Sequence, residues 1–188
     1  MEFNKLINSR KSVRRFKSKK PDWRQIIDAI NYASKIPYAG NIQNVKFILI
    51  SDKKLINEIT KYCQQDFISQ ANYVIVITAD PTDLVRSYDE LGEKYNLEQG
   101  GAATQQLLLK LVDLSLDGCW IGSFDEEAIK KTLKVPETIR ISSIIPVGYA
   151  MPGERTTKKS LISNLDKILR FNDYKQKFMK PRDEPEAF

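Results

Sequence analysis

Tyr73-Val74-Ile75-Val76-Ile77-Thr78 carries the strongest strand signal in the chain. It is dense in β-branched residues and apolar at odd and even positions alike. Both of its faces must therefore be covered, and it reads as a central strand. Asp80-Pro81 ends it. Upstream, Phe47-Ile48-Leu49-Ile50 is a second short apolar run, and Ser51-Asp52 caps a helix over Lys53 to Tyr62. Earlier still, Phe3 to Asn8 suits a short helix. Pro21-Asp22 opens an amphipathic one with Trp23, Ile26, Ile27, Ile30 and Ala33 on one face, ended by Pro37.

Downstream, Leu91 to Leu116 reads as one long helix, its middle crowded with Ala and Leu behind Gly100-Gly101. Cys119-Trp120-Ile121 follows as a short strand, and Asp125 caps a helix to Leu133 with Glu126 and Glu127 in its first turn. Ser142 to Tyr149 is another strand and Leu161 to Leu169 another helix. The tail from Asn172 has charges, aromatics and prolines but little periodicity. Strands interspersed with helices, around a chiefly buried sheet, give a mixed α/β arrangement of two or three layers.

The 188 residues, 41% hydrophobic and 29% charged, match one ordinary globular domain, 1–188. No apolar run approaches the roughly 20 residues of a membrane span, and the charged start is unlike a signal peptide. The expectation is a cytoplasmic protein without a membrane partner. Cys63 and Cys119 form no CxxC pair and read as small buried apolar groups. The chain has no histidine, which removes the usual triads, most zinc sites and the commonest general base. No metal site is expected, and any hard chemistry falls to a cofactor. The net charge of +6 is spread through mixed-sign segments except in Arg10 to Lys20, which argues against nucleic-acid binding.

No GxGxxG follows a strand and no GxxxxGK[ST] occurs, so a nucleotide phosphate must be held by side chains. Arg10, Ser12 and Arg14 alternate. In extended backbone they share one side, and two guanidinium forks with a hydroxyl suit a phosphate, although a plain basic turn has the same residues. In Pro37-Tyr38-Ala39-Gly40-Asn41-Ile42-Gln43, two carboxamides stand one residue apart. They offer donors and acceptors for the edge of a heteroaromatic ring, or simply cap a loop. Gly118 to Asp125 runs from a buried strand to a helix start, where N–H groups at Gly122 and Ser123 can meet a ligand acceptor. The competing reading there is a turn with a packed Trp120.

In this order and spacing, the segments resemble the nitroreductase family of flavoproteins. Its Arg-x-Ser-x-Arg/Lys-x-Phe opening is met by Arg10, Ser12, Arg14 and Phe16, and its Pro-x-x-x-Asn-x-Gln segment by Pro37, Asn41 and Gln43. Gln105-Gln106-Leu107-Leu108-Leu109, Gly118 to Phe124 and Gly148-Tyr149 match further motifs, so the resemblance covers roughly Lys5 to Leu161. It implies an α+β fold with a central, mostly antiparallel sheet flanked by helices, in an intertwined homodimer whose tail, 172–188, packs on the partner subunit.

The resemblance also implies FMN at the subunit interface. Arg10, Lys11, Ser12 and Arg14 would hold phosphate, ribityl chain and pyrimidine edge, with Arg14 tuning the ring. Pro37, Tyr38, Ala39, Asn41 and Gln43 would approach from the other subunit, and Ile121, Gly122 and Ser123 would supply backbone contacts. The family's late Lys-x-Arg is replaced by Arg155-Thr156-Thr157-Lys158-Lys159-Ser160, where Lys158 is the expected phosphate ligand and Arg155 or Lys159 the substitutes. An acidic residue often found in the family is Gly122 here, so contacts by that carboxylate are not carried over.

The implied activity is ping-pong transfer of hydride from NADH or NADPH, through the flavin, to a nitro, quinone or related small-molecule acceptor. No catalytic side chain is called for beyond the flavin. The rival is a flavin-binding sensor or store without turnover. Phe67, Tyr88 and Tyr95 are open as lid aromatics or core anchors. Substituting Arg14→Glu is expected to strip the purified protein of FMN; a yellow variant at wild-type flavin stoichiometry would refute the clamp.

Overall fold

The computed structural model describes residues 2–154 and 165–178, with side chains in the last stretch from 167. Strand β2 (Tyr73–Ala79) is buried at every position. It lies between β1 (Val45–Ile50) and β4 (Arg140–Gly148), and β3 (Asp117–Gly118) completes the order β1-β2-β4-β3 with every pairing antiparallel. Consecutive residues of a strand point to opposite faces, so β2 feeds two cores. Tyr73, Ile75 and Ile77 pack with helices α2 (Trp23–Ala33) and α5 (Glu90–Asp113) through Ile26, Ala29, Leu107 and Leu111. Val74 and Val76 pack with α3 (Lys53–Cys63) and α6 (Glu126–Leu133) through Ile56, Ile59 and Ile129. The result is the expected mixed fold, resolved as helix, antiparallel sheet and helix.

Local caps set the helix starts. The side chains of Asp22, Asp52 and Asp125 accept N–H groups of Arg24, of Lys54 and Leu55, and of Ala128. Several boundaries differ from expectation. Helix α2 stops at Ala33, before Pro37, and its core stripe is Ile26, Ala29 and Ala33; Trp23 and Ile27 sit on the flank and are half exposed. A separate helix α4 (Thr82–Tyr88) precedes α5, and the break falls at Asp89 with φ +49°. Gly92 lets the two helices turn tightly, since a Cβ there would stand 2.4 Å from the Leu84 and Val85 backbone. Strand β3 falls on Asp117–Gly118 instead of Cys119–Ile121, and only Ile121 of that run pairs, as a lone bridge to Ile144.

The N-terminal segment following α1 (Phe3–Ser9) is stitched to this sheet edge. Ser12 bridges Gly118 in parallel, with the Val13 N–H donating to the Gly118 carbonyl at 3.2 Å. Phe16 bridges Ala150, flanked by Lys17 N–H to Tyr149 O at 2.8 Å and Met151 N–H to Arg15 O at 2.9 Å. Val13 and Phe16 are the buried anchors.

The chain divides into two compact units, 1–155 and 156–188. In the second, the described residues hold the short helix α7 (Leu165–Ile168) and a bend in which the Asp173 carboxylate accepts the Lys175 and Gln176 N–H groups. Residues 161–164 of the expected 161–169 helix lie outside the described residues, and Leu169 falls past its end. No helix among the described residues is long and apolar enough to cross a membrane.

At Gly148 a Cβ would stand 2.9 Å from the Phe16 ring. Gly148→Ala is therefore expected to push Phe16 from its seat and lower unfolding free energy by about 1–3 kcal/mol, read as a lower urea midpoint at unchanged slope.

Candidate functional site

Alternation along the stitched segment places buried Val13 on one side and exposed Ser12 and Arg14 on the other. Arg10 ends α1 with extended backbone, so it joins that run. Arg10, Ser12 and Arg14 converge on a residue read from sequence only as a small apolar group, Cys119. Burial raises its thiol pKa, while Arg14, the Ser12 hydroxyl and Arg10 pull it down. The Arg14 guanidinium also lies 6.0 Å from the centre of the Phe67 ring, and Phe67 is a half-buried core residue packed beside Val13 and Phe16.

Arg10, Lys11 and Arg14 have no carboxylate partner among the described residues, whereas Arg15, on the opposite side, donates to Glu154 at 2.7 Å. Glu154 also accepts the Arg14 N–H at 3.1 Å, and both Arg15 and that N–H hold its pKa below the ordinary value. Glu154 is thus a structural pin that leaves the neighbouring cations unneutralised. A cation cluster without carboxylate partners at a sheet edge has the charge and the donor types that suit an anion.

Two residues beyond Cys119, Ile121 is fixed by two hydrogen bonds to Ile144, and the exposed Gly122 and Ser123 follow with N–H groups that donate to nothing among the described residues. The helix start itself is less open than expected, because Asp125 takes the Ala128 N–H and Glu126 turns away to accept the Ile141 N–H at 2.9 Å. Trp120 is not a packed core residue. It is 42% exposed and lies beside Gly122 and Gly101 of α5.

The Pro37–Gln43 segment is held elsewhere. Its short 3-10 turn, Ala39–Asn41, is bonded to α5: the Ala39 N–H donates to Gln99 Oε1 at 2.7 Å. Tyr38 is partly buried, which raises its pKa, while Pro37, Asn41 and Gln43 are exposed. Pro37 and Ala39 border a cavity of about 310 Å³ with Tyr95, Glu98, Gln99 and Ala102. Tyr88 meets Tyr95 edge-on at 5.2 Å and covers Gly40, so both tyrosines anchor this loop. Among the described residues, no hydrogen bond or ring contact joins Pro37–Gln43 to Arg10–Arg14. Arg155, Lys158 and Lys159 lie outside the described residues. No cluster of three or more Cys, Asp or Glu suited to a metal occurs among them.

The profile of the Nitroreductase family matches residues 7–67 and 58–149. The chain belongs to the nitroreductase family. An Archaeoglobus fulgidus relative, named as a candidate NADH dehydrogenase/NAD(P)H nitroreductase, is 27% identical over 150 residues, or 77% of this chain and 83% of that one. A nitroreductase family protein from Clostridium novyi NT superposes with TM-score 0.75 at 26% identity, over 97% of this chain and 99% of its own. An FMN-dependent nitroreductase from Clostridium difficile R20291 shares the fold at TM-score 0.72 and 22% identity, over 90% and 98%.

Sequence reasoning missed Cys119, Gln99 and Glu154 as parts of these arrangements. Their partners are distant in the chain, 60 residues for Gln99 to Ala39 and 139 for Glu154 to Arg15.

Because the Glu154 pKa is lowered on folding from 4.5, its stabilisation is complete above that unfolded value and is lost as pH falls through the lower folded value. Glu154→Gln is expected to flatten this acid limb. Tryptophan-fluorescence unfolding between about pH 5 and pH 3 will show it, the range following from the ordinary glutamate titration.

Proposed function

We propose that this nitroreductase family member is an FMN-dependent oxidoreductase. It takes hydride from NADH or NADPH and passes it to a nitro, quinone or related acceptor in two successive half-reactions. The observation that carries the reading is the cation set Arg10, Lys11 and Arg14, unpaired among the described residues and fixed with Ser12 on the sheet edge, together with N–H groups at Gly122 and Ser123 that have no acceptor among those residues. This donor set fits a phosphate ester on a ring with acceptor atoms. The names of the Archaeoglobus relative and of the Clostridium difficile fold neighbour support the donor and the cofactor.

FMN, when bound, supplies the hydride chemistry. The chain's part is to bind and orient. Arg10, Lys11 and Ser12 hold phosphate and ribityl chain. Arg14 is assigned to the pyrimidine edge, where a fixed cation favours the negative charge that reduction brings. Ile121 holds Gly122 and Ser123 in register for backbone contacts. With no histidine in the chain, the proton comes from solvent.

Pro37, Tyr38, Ala39, Asn41 and Gln43 serve the ring bound by a second copy, making the working unit a homodimer. Their separation from Arg10–Arg14 within one chain supports this assignment. So do the exposed apolar residues Phe3, Ile7, Trp23, Ile27 and Leu97, which offer surface to a partner.

The purified protein is expected to be yellow and to bleach under anaerobic NADH or NADPH, with parallel double-reciprocal plots when an acceptor is varied. A protein that binds no added FMN overturns the proposal. Bound FMN that neither nucleotide bleaches replaces the enzyme with a flavin store or sensor.

A further inference from the structure

The Ala39–Asn41 turn has an uncommon backbone. Gly40 and Asn41 are consecutive left-handed residues at φ +56° and +57°, a region that glycine enters freely and asparagine more readily than other side chains. Gly40 is bound to be glycine twice over, since a Cβ would stand 2.5 Å from the Tyr88 hydroxyl. Two left-handed residues in succession still need surrounding contacts to hold one conformation.

Here the determining contacts are a buried chain of carboxamides. Gln99 Oε1 accepts the Ala39 N–H at 2.7 Å, while its Nε2 donates to Asn44 Oδ1 at 2.5 Å and reaches the Ile42 carbonyl at 3.5 Å. Asn44 in turn donates from Nδ2 to Asn96 Oδ1 at 2.6 Å, and Asn96 lies one helical turn before Gln99 on α5. Gln99, Asn44 and Asn96 are all buried. A single side chain must accept from the entry of the turn and donate to its exit. A neutral carboxamide does both; leucine does neither, and an ionised carboxylate only accepts. Holding such a network out of water is costly, the more so because Asn96 Nδ2 finds no hydrogen-bond partner among the described residues, so a loop needed only for packing would be pinned more cheaply by apolar contacts.

We propose that Gln99 is the positioning residue that fixes the Ala39–Asn41 turn, and with it the outward carboxamides of Asn41 and Gln43, for contact with the flavin ring. This rests on the functional reading above. Gln99 touches the loop backbone and not the ring, so its effect belongs to ring binding and is independent of the phosphate clamp.

The test titrates apoprotein with FMN and with riboflavin, which has the ring and lacks the phosphate, for wild type, Gln99→Leu, Gln99→Glu and Arg10→Gln. Gln99→Leu is expected to weaken both ligands by about ten- to a hundredfold, from loss of buried hydrogen bonds. The ratio of FMN to riboflavin affinity should stay at its wild-type value. Gln99→Glu keeps the acceptor for Ala39 and should lie between the two. Arg10→Gln should lower the ratio instead. Thermal midpoints and circular dichroism of the apoproteins accompany each titration; should Gln99→Leu not fold, Gln99→Glu against wild type carries the same two readings. A lower thermal midpoint with unchanged flavin affinities marks a merely structural side chain and overturns the proposal. A changed ratio in the Gln99 variants overturns it too. Failure of wild type to bind FMN overturns the functional reading and this inference together.

Discussion

Burial of β2 on both faces is the constraint from which the architecture follows. Seven consecutive residues are out of water, so both backbone edges must find ladder partners and both faces must find helices. β1 and β4 satisfy the edges, α2 with α5 cover one face, and α3 with α6 cover the other. β4 in turn needs a partner on its outer edge, and β3 supplies only Asp117 and Gly118. Ile121 adds a bridge to Ile144, and the N-terminal segment pairs at the same edge, Ser12 with Gly118 of β3 and Phe16 with Ala150 just past β4. A run dense in cations is therefore held in extended form by the sheet's own need for hydrogen bonds, and its electrostatics acquire a fixed direction.

Much of this was legible because it is local. A carboxylate two or three residues before a backbone N–H caps a helix whatever lies elsewhere, and Asp22, Asp52 and Asp125 all do so. β2 was legible from composition and α5 from its Ala and Leu content. The end of α2 at Ala33 was not, because burial of Ile36 and the route into the next turn override the helical bias up to Pro37. The break at Asp89 was hidden as well. It depends on Gly92 letting one helix touch another's backbone, which no periodicity announces.

The site divides in the same way. The alternation of Arg10, Ser12 and Arg14 could be read directly, since strand geometry alone fixes which side chains share a side. The use of Arg15 could not. One residue further along it faces Glu154, far down the chain, and is spent on holding the segment in place. Four basic residues within six positions thus have unlike roles, and only the fold sorts them. The carboxamide chain through Gln99 was equally silent, because its members are ordinary polar residues until α5 and the turn are brought together.

The cation set also contains no histidine, and the proposed role needs none. Stabilising developing negative charge needs a cation whose ionisation does not depend on pH, and arginine meets that condition across the physiological range. An imidazole beside Arg10, Lys11 and Arg14 would be driven toward its neutral form by the cations around it, contributing little charge. Placing carboxylates there would cancel the field. Glu154 stays clear of that outcome by bonding to the Arg14 backbone and the Arg15 side chain, on the far side of the run. The unlike treatment of adjacent arginines, one paired with Glu154 and its neighbours without a carboxylate among the described residues, lets a short stretch be a structural strand and still present positive charge.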